Sequence, residues 1–160
     1  VSIVLRHNEQ LELNRVEYSN SVTLAELTKL VEFQAANPTW LTFDALAIVT
    51  PGADFATIDK SALDKLYASY AELFSSLHFL ILRRSAWICL SPAAEEHVRY
   101  WIGDRDTRET VSSDLRRFDT FPEAGDWLVL NQSAAAALEN GTGFREIFSF
   151  HSPPARGFAR

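Results

Sequence analysis

The stretch Leu41-Thr42-Phe43-Asp44-Ala45-Leu46-Ala47-Ile48-Val49 decides the fold. Its second half is apolar at nearly every position, as expected of a strand covered on both faces. A strand read over 41–49 therefore lies centrally in a sheet, and Thr50-Pro51-Gly52 ends it. Downstream, Leu63, Leu66, Tyr67, Tyr70, Leu73, Phe74 and Leu77 recur at the spacing of one face of a helix. His78-Phe79-Leu80-Ile81-Leu82 reads as the next buried strand. After Arg83-Arg84-Ser85, the residues from Ala86 or Trp87 to Leu90 either continue it past a kink or form a separate short strand. Strand, helix and strand in that order make a parallel crossover.

Working outward, Ser2–Leu5 alternates, His7-Asn8-Glu9-Gln10 is a polar turn, and Leu11, Leu13, Val16 and Tyr18 resume the pattern, which predicts an antiparallel hairpin. Thr23-Leu24-Ala25-Glu26 is a capping box that opens a helix with Leu24, Leu27, Leu30 and Val31 on one face, stopped by Asn37-Pro38. Ser91-Pro92-Ala93-Ala94-Glu95 opens a third helix that ends at Gly103, because Pro is preorganised for the first turn and acids suit its dipole. Asp104–Ser113 is a charged link, Leu115–Phe118 a short edge strand, and Thr120-Phe121-Pro122-Glu123 the start of a helix that buries Trp127 and Leu128.

These elements predict one α/β domain over residues 1–130, with a mixed four- to six-stranded sheet, an N-terminal hairpin and covering helices. Residues 131–160 read as a C-terminal helix and an extended tail. Within it Phe144–Phe150 alternates like a strand able to pair with a sheet edge, its own or a second copy's, so a homodimer is one expectation. The 160 residues, 47% apolar and 22% charged, suffice for a single core without metals or disulfides.

In order, lengths and local phrases, residues 1–130 resemble the STAS domains, the anti-sigma-factor-antagonist-like fold of bacteria. The resemblance rests on Ile48-Val49-Thr50-Pro51-Gly52, on Asp59-Lys60-Ser61-Ala62-Leu63, and on Arg117-Phe118-Asp119-Thr120-Phe121-Pro122-Glu123-Ala124-Gly125-Asp126-Trp127-Leu128. It implies a non-enzymatic regulatory module that binds a protein partner, such as an anti-sigma-like kinase or a second copy, through loops at the carboxyl end of the sheet. It also implies a phospho-acceptor at the start of the helix after the central strand, where Ser61 stands with Thr57 and Asp59. A phosphate there would meet free backbone donors and the positive end of the helix dipole. Read from the residues alone, Asp59 or Thr57 caps the helix and Ser61 sits in its first turn.

Ligands of open α/β sheets collect beyond the carboxyl ends of the strands. That rule predicts a patch in which Asp54, Thr57 and Ser61 approach Arg83, Arg84 and Ser85 and hold an anion or a partner. A different expectation comes from Trp40, Trp87, Trp101, Trp127 and eleven Phe, which either fill the core or line a cavity for a small apolar ligand or lipid.

Other classes lack residues. The net charge of −6, from 15 bases and 21 acids, disfavours nucleic acid. The four histidines are scattered without metal-ligand spacing, and no nucleophile elbow or glycine-rich phosphate loop is present, so no metal, cofactor or catalytic set is expected. A lone Cys89 and the lack of a long apolar run point to a cytoplasmic protein without a membrane span.

Overall fold

The computed structural model describes residues 2–77, 82–103, 111–128 and 130–150. Strands β1 (Ile3–Asn8) and β2 (Leu13–Tyr18) form the expected hairpin. The turn begins at Glu9, because His7 and Asn8 end β1 as buried residues: His7 Nδ1 lies 2.8 Å from Asn14 Oδ1, its partner across the ladder. Helix α1 (Leu24–Ala36) opens on the capping box, in which Thr23 Oγ1 accepts the Glu26 N–H at 3.3 Å and the Glu26 carboxylate accepts the Thr23 N–H at 2.7 Å. The buried Glu26 also accepts the Ser2 hydroxyl, tying the helix start to β1.

Pro38–Thr42 forms a 3-10 turn, so strand β3 spans Asp44–Val49 rather than starting at Leu41. Pro38 at the front of that turn sets the helical φ that delays the strand. Helix α2 (Lys60–Leu77) leads to β4 (Arg83–Cys89), which pairs parallel with β3 from Ala45↔Ser85 to Val49↔Cys89. Residues 78–81 of the strand expected at 78–82 lie outside the described residues, and Leu82 precedes β4 and is exposed. The strand beside β3 is therefore the next segment: Arg83, Arg84 and Ser85 open it, and residues 86–89 continue it without a break.

A 3-10 turn at Pro92–Ala94 precedes α3 (Glu95–Ile102), which Gly103 closes. Strand β5 (Ser113–Phe118) adds parallel to β4 and forms one edge of the sheet. Helices α4 (Phe121–Trp127) and α5 (Gln132–Asn140) follow. Gly141 at φ 78° and Gly143 at φ 83° then turn the chain into β6 (Arg145–Phe150), conformations that L side chains rarely adopt. Strand β6 pairs antiparallel with β1 of its own chain, so the segment expected as a tail forms the second edge strand. Residues 151–160 lie outside the described residues.

The result is an α/β fold on a mixed six-stranded sheet ordered β5-β4-β3-β2-β1-β6, with five helices among the described residues. Strands β2 to β5 step in one direction across the sheet, so crossovers of a single hand put α1, α2 and α3 on the same face. There Leu27, Leu30, Leu63, Leu66 and Val98 pack on Ile3, Leu5, Val16, Ala47 and Val49. The opposite face carries Leu13, Leu46, Ile48, Ala86 and Ile88 under Ala124, Leu128 and Leu138 of the α4–α5 pair. Arg15 fastens that pair to the sheet, donating from Nε to the Leu138 carbonyl at 2.8 Å and from Nη2 to the Glu139 carbonyl at 3.0 Å.

Because Leu138 is 0% exposed in this second core, Leu138→Ala should lower unfolding stability by about 2–5 kcal/mol, the usual cost of a Leu-to-Ala cavity. Urea denaturation checks this; an unchanged midpoint would show that α5 is an appendage.

Candidate functional site

The two faces of the central strand differ in size. On the α4–α5 side β3 presents Leu46 and Ile48; toward α1–α3 it presents Ala45 and Ala47. Strand β4 adds Ser85 beside Ala45 in register, on the same face. Three small side chains thus floor the middle of the sheet just where helices held off by large side chains cross it. A sheet and a helix layer keep a fixed spacing, so missing side-chain volume becomes empty space.

That space is a partly open cavity of about 120 Å³. Its walls are Leu27, Leu30 and Gln34 of α1, Leu63, Leu66, Tyr67, Tyr70 and Phe74 of α2, and His97, Val98 and Trp101 of α3. It runs along the strands from Arg83, Val111 and Ser113 at the amino ends to Phe55 and Trp87 toward the carboxyl ends. The aromatic groups brace one another: Tyr18 stacks on Trp87 with centroids 6.0 Å apart, Phe55 meets the edge of Tyr18 at 5.9 Å, and Tyr67 and Tyr70 meet Trp101 edge-on at 5.6 and 6.1 Å.

Polar groups in the lining are few. Tyr70 donates its hydroxyl to Gln34 Oε1 at 2.6 Å. Desolvation raises the pKa of Tyr18 and Tyr70, with Arg83 pulling the other way, so both stay neutral donors at physiological pH. His97 Nε2 lies 2.7 Å from the Ile58 carbonyl and so carries the proton, which leaves Nδ1 buried without a partner; the Trp87 indole nitrogen is in the same position.

Among the described residues Arg83 is the single cation of the lining, and no acid stands beside it there. Its Nε donates to Ser113 Oγ at 2.8 Å, that hydroxyl donates on to the Val111 carbonyl at 2.8 Å, and the guanidinium sits 5.3 Å from the Phe74 ring centroid. Desolvation lowers its pKa below the ordinary arginine value, opposed by Tyr70, Asp44 and Tyr18. Asp44 is committed elsewhere: it accepts the Arg84 backbone N–H at 2.7 Å and pairs with the Arg84 guanidinium at 3.3 Å.

The expected anion patch is split between the two ends of the sheet. Asp54, Thr57, Asp59 and Ser61 lie in the segment after β3, at the carboxyl end, whereas Arg83, Arg84 and Ser85 open β4 at the amino end. The reason is the shifted strand boundary, which turns an expected loop into the first residues of a strand. Asp54 accepts the Ser21 hydroxyl at 3.0 Å and the Ala56 N–H at 3.1 Å, holding two loops together. Asp59 Oδ1 accepts the Ala62 N–H at 2.8 Å and so caps α2, while Thr57 and Ser61 are exposed. Arg84 donates to the Trp127 carbonyl at 2.8 Å, and Ser85 is buried in the cavity floor. Of these residues, Arg83 and Ser85 share the cavity.

Trp87 and Trp101 line the cavity, whereas Trp127 packs with the second core and Trp40 against His7 and Phe43. The signal missed in the sequence is the alternation Ala45-Leu46-Ala47-Ile48, small on one face and large on the other. Among the described residues no group of acids, histidines and cysteine is placed to hold a metal, and no helix is long and apolar enough to cross a membrane. No family model, no curated protein and no solved structure matches the chain.

Because space remains above Ala45 and Ala47, adding volume there stabilises. Ala47→Val should raise the thermal midpoint, while Ala86→Val on the opposite, filled face should lower it, because overpacking a core costs about 1–3 kcal/mol of stability. Differential scanning calorimetry of the pair decides, since the same gain in β propensity applies to both; a fall in both midpoints would mean that the face above Ala47 is already full.

Proposed function

We propose that this protein is a non-enzymatic binding module that holds a small apolar ligand in the cavity between its sheet and helices α1–α3. The observation that carries the reading is the floor of Ala45, Ala47 and Ser85 beneath aromatic walls. Nature fills cores to high density, and a void lined mainly by apolar groups with a few polar ones placed at its ends is the usual form of a small-molecule site. The volume of about 120 Å³ is close to the roughly 150 Å³ at which an apolar protein cavity takes up benzene, so the matching body is a single ring or a short branched chain. The STAS-like kinship, supported by the element order of a hairpin followed by alternating helices and parallel strands, is part of this proposal and brings with it a bacterial setting; the lone thiol of Cys89 supports the cytoplasm as its place.

Titration with benzene, followed by amide NMR, tests the reading. Shifts should concentrate on Ala45, Ala47, Ser85, Trp87 and Tyr70 and vanish in Ala47→Phe, whose ring would occupy the space. Absence of shifts at saturating benzene, or equal shifts in both proteins, would overturn it.

A second reading is docking of a protein partner at the carboxyl end of the sheet, regulated at Ser61. It is favoured by the exposure of Ser61 in the first turn of α2, where kinases could reach it and a phosphate would meet the helix dipole. Phosphoproteomics of the source cells, together with pull-downs using Ser61→Glu, is the check: a modified Ser61 and an altered set of bound proteins are expected, and an unmodified residue with an unaltered set would retire this reading.

A further inference from the structure

Resting on the cavity reading, we propose that the ligand is a small carboxylic acid with an apolar body, its carboxylate paired with Arg83 and its body lying over Ala45, Ala47 and Ser85. The chemistry follows from what Arg83 has and lacks. A guanidinium stays protonated in proteins, and placing it against apolar walls without a counter-charge is costly. Among the described residues no carboxylate pairs with it, and the acid that exerts the nearest attraction, Asp44, is held by Arg84 through both its oxygens. An anion brought by the ligand completes what the protein leaves open.

The guanidinium is also held in advance. Its Nε is fixed by Ser113, whose hydroxyl is itself fixed by the Val111 carbonyl, and Phe74 lies against its face. These contacts use the Nε side of the plane and direct recognition to the two terminal amino groups, which form a planar fork matched to the two oxygens of a carboxylate. Tyr18 and Tyr70, kept neutral by burial, add no competing negative charge. Among the described residues the lining has one cation and no acid, which suits a monoanion. A phosphate carrying nearly two charges would be left undercompensated by one guanidinium. The cavity volume then restricts the body to about one ring, so benzoate and phenylacetate are the fitting probes.

Isothermal titration of the whole chain with benzoate, benzyl alcohol and benzene tests this. In the native protein benzoate should bind roughly 10- to 100-fold more tightly than benzyl alcohol, the range that a charge-assisted hydrogen bond confers. Arg83→Met should erase that difference, and Arg83→Lys, with the charge but not the fork, should keep part of it. If benzyl alcohol and benzene bind and benzoate binds no better, the acid is wrong and the apolar cavity stands. If none of the three binds, the cavity reading fails and the acid with it. The comparison of benzoate with benzyl alcohol in the native chain needs no variant, so the outcome is decided even if Arg83→Met fails to fold.

Discussion

The constraint on which the rest depends is the unequal alternation of the central strand. Leu46 and Ile48 fill one side of β3, while Ala45 and Ala47, with Ser85 beside them, leave space on the other side. A strand at the centre of a six-stranded sheet cannot move toward one helix layer without leaving the other, because its backbone is hydrogen-bonded to β2 and β4 along its whole length. The missing volume therefore cannot be closed by a shift of β3. It could be closed only by α1, α2 and α3 sinking toward the sheet, and Tyr18, Trp87, Trp101 and Phe74 stand in the way. Large rings at the rim and small groups in the middle together make a chamber.

The polar groups divide by role. At the carboxyl end, Asp54 and Asp59 tie loops and cap α2, and Ser91, buried, gives its hydroxyl to the Ala53 carbonyl at 2.5 Å. Each of these groups is committed to a local structural bond. At the amino end, Arg84 and Asp44 likewise form a closed set with the Trp127 carbonyl. Arg83 differs from its neighbour only in facing the other side of the same strand, and that alternation puts one guanidinium on the cavity and the next on the α4 side. In a lining where rings and aliphatic groups predominate, Arg83 is the one held cation among the described residues.

Much of the architecture was legible in the chain. The capping box at Thr23-Glu26, the helical stripe from Leu63 to Leu77, the Thr120 cap and the central position of β3 all follow from local rules that packing did not override. The start of β4 was not legible, because His78–Leu82 is the more apolar run and two arginines look like a strand's end; what places the strand at Arg83 is its register against β3, a long-range fact. The same shift separated Ser61, Thr57 and Asp54 from Arg83, Arg84 and Ser85. Strand β6 could be recognised as a strand from Phe144–Phe150, but not which edge it would join; the choice is made by α4 and α5 returning the chain across the sheet to β1. The cavity was foreshadowed only as aromatic abundance. Its position lies in two alanines, and an alanine in a strand carries no sign of whether a neighbour fills the space above it.

The most direct measurement is a crystal structure determined under xenon pressure, since xenon enters apolar voids without needing any polar contact. The expected result is xenon density above Ala45, Ala47 and Ser85, within the ring of Tyr18, Tyr70, Phe74 and Trp87. Side chains of α1 and α2 packed directly on those three small residues, with no xenon between, would contradict it.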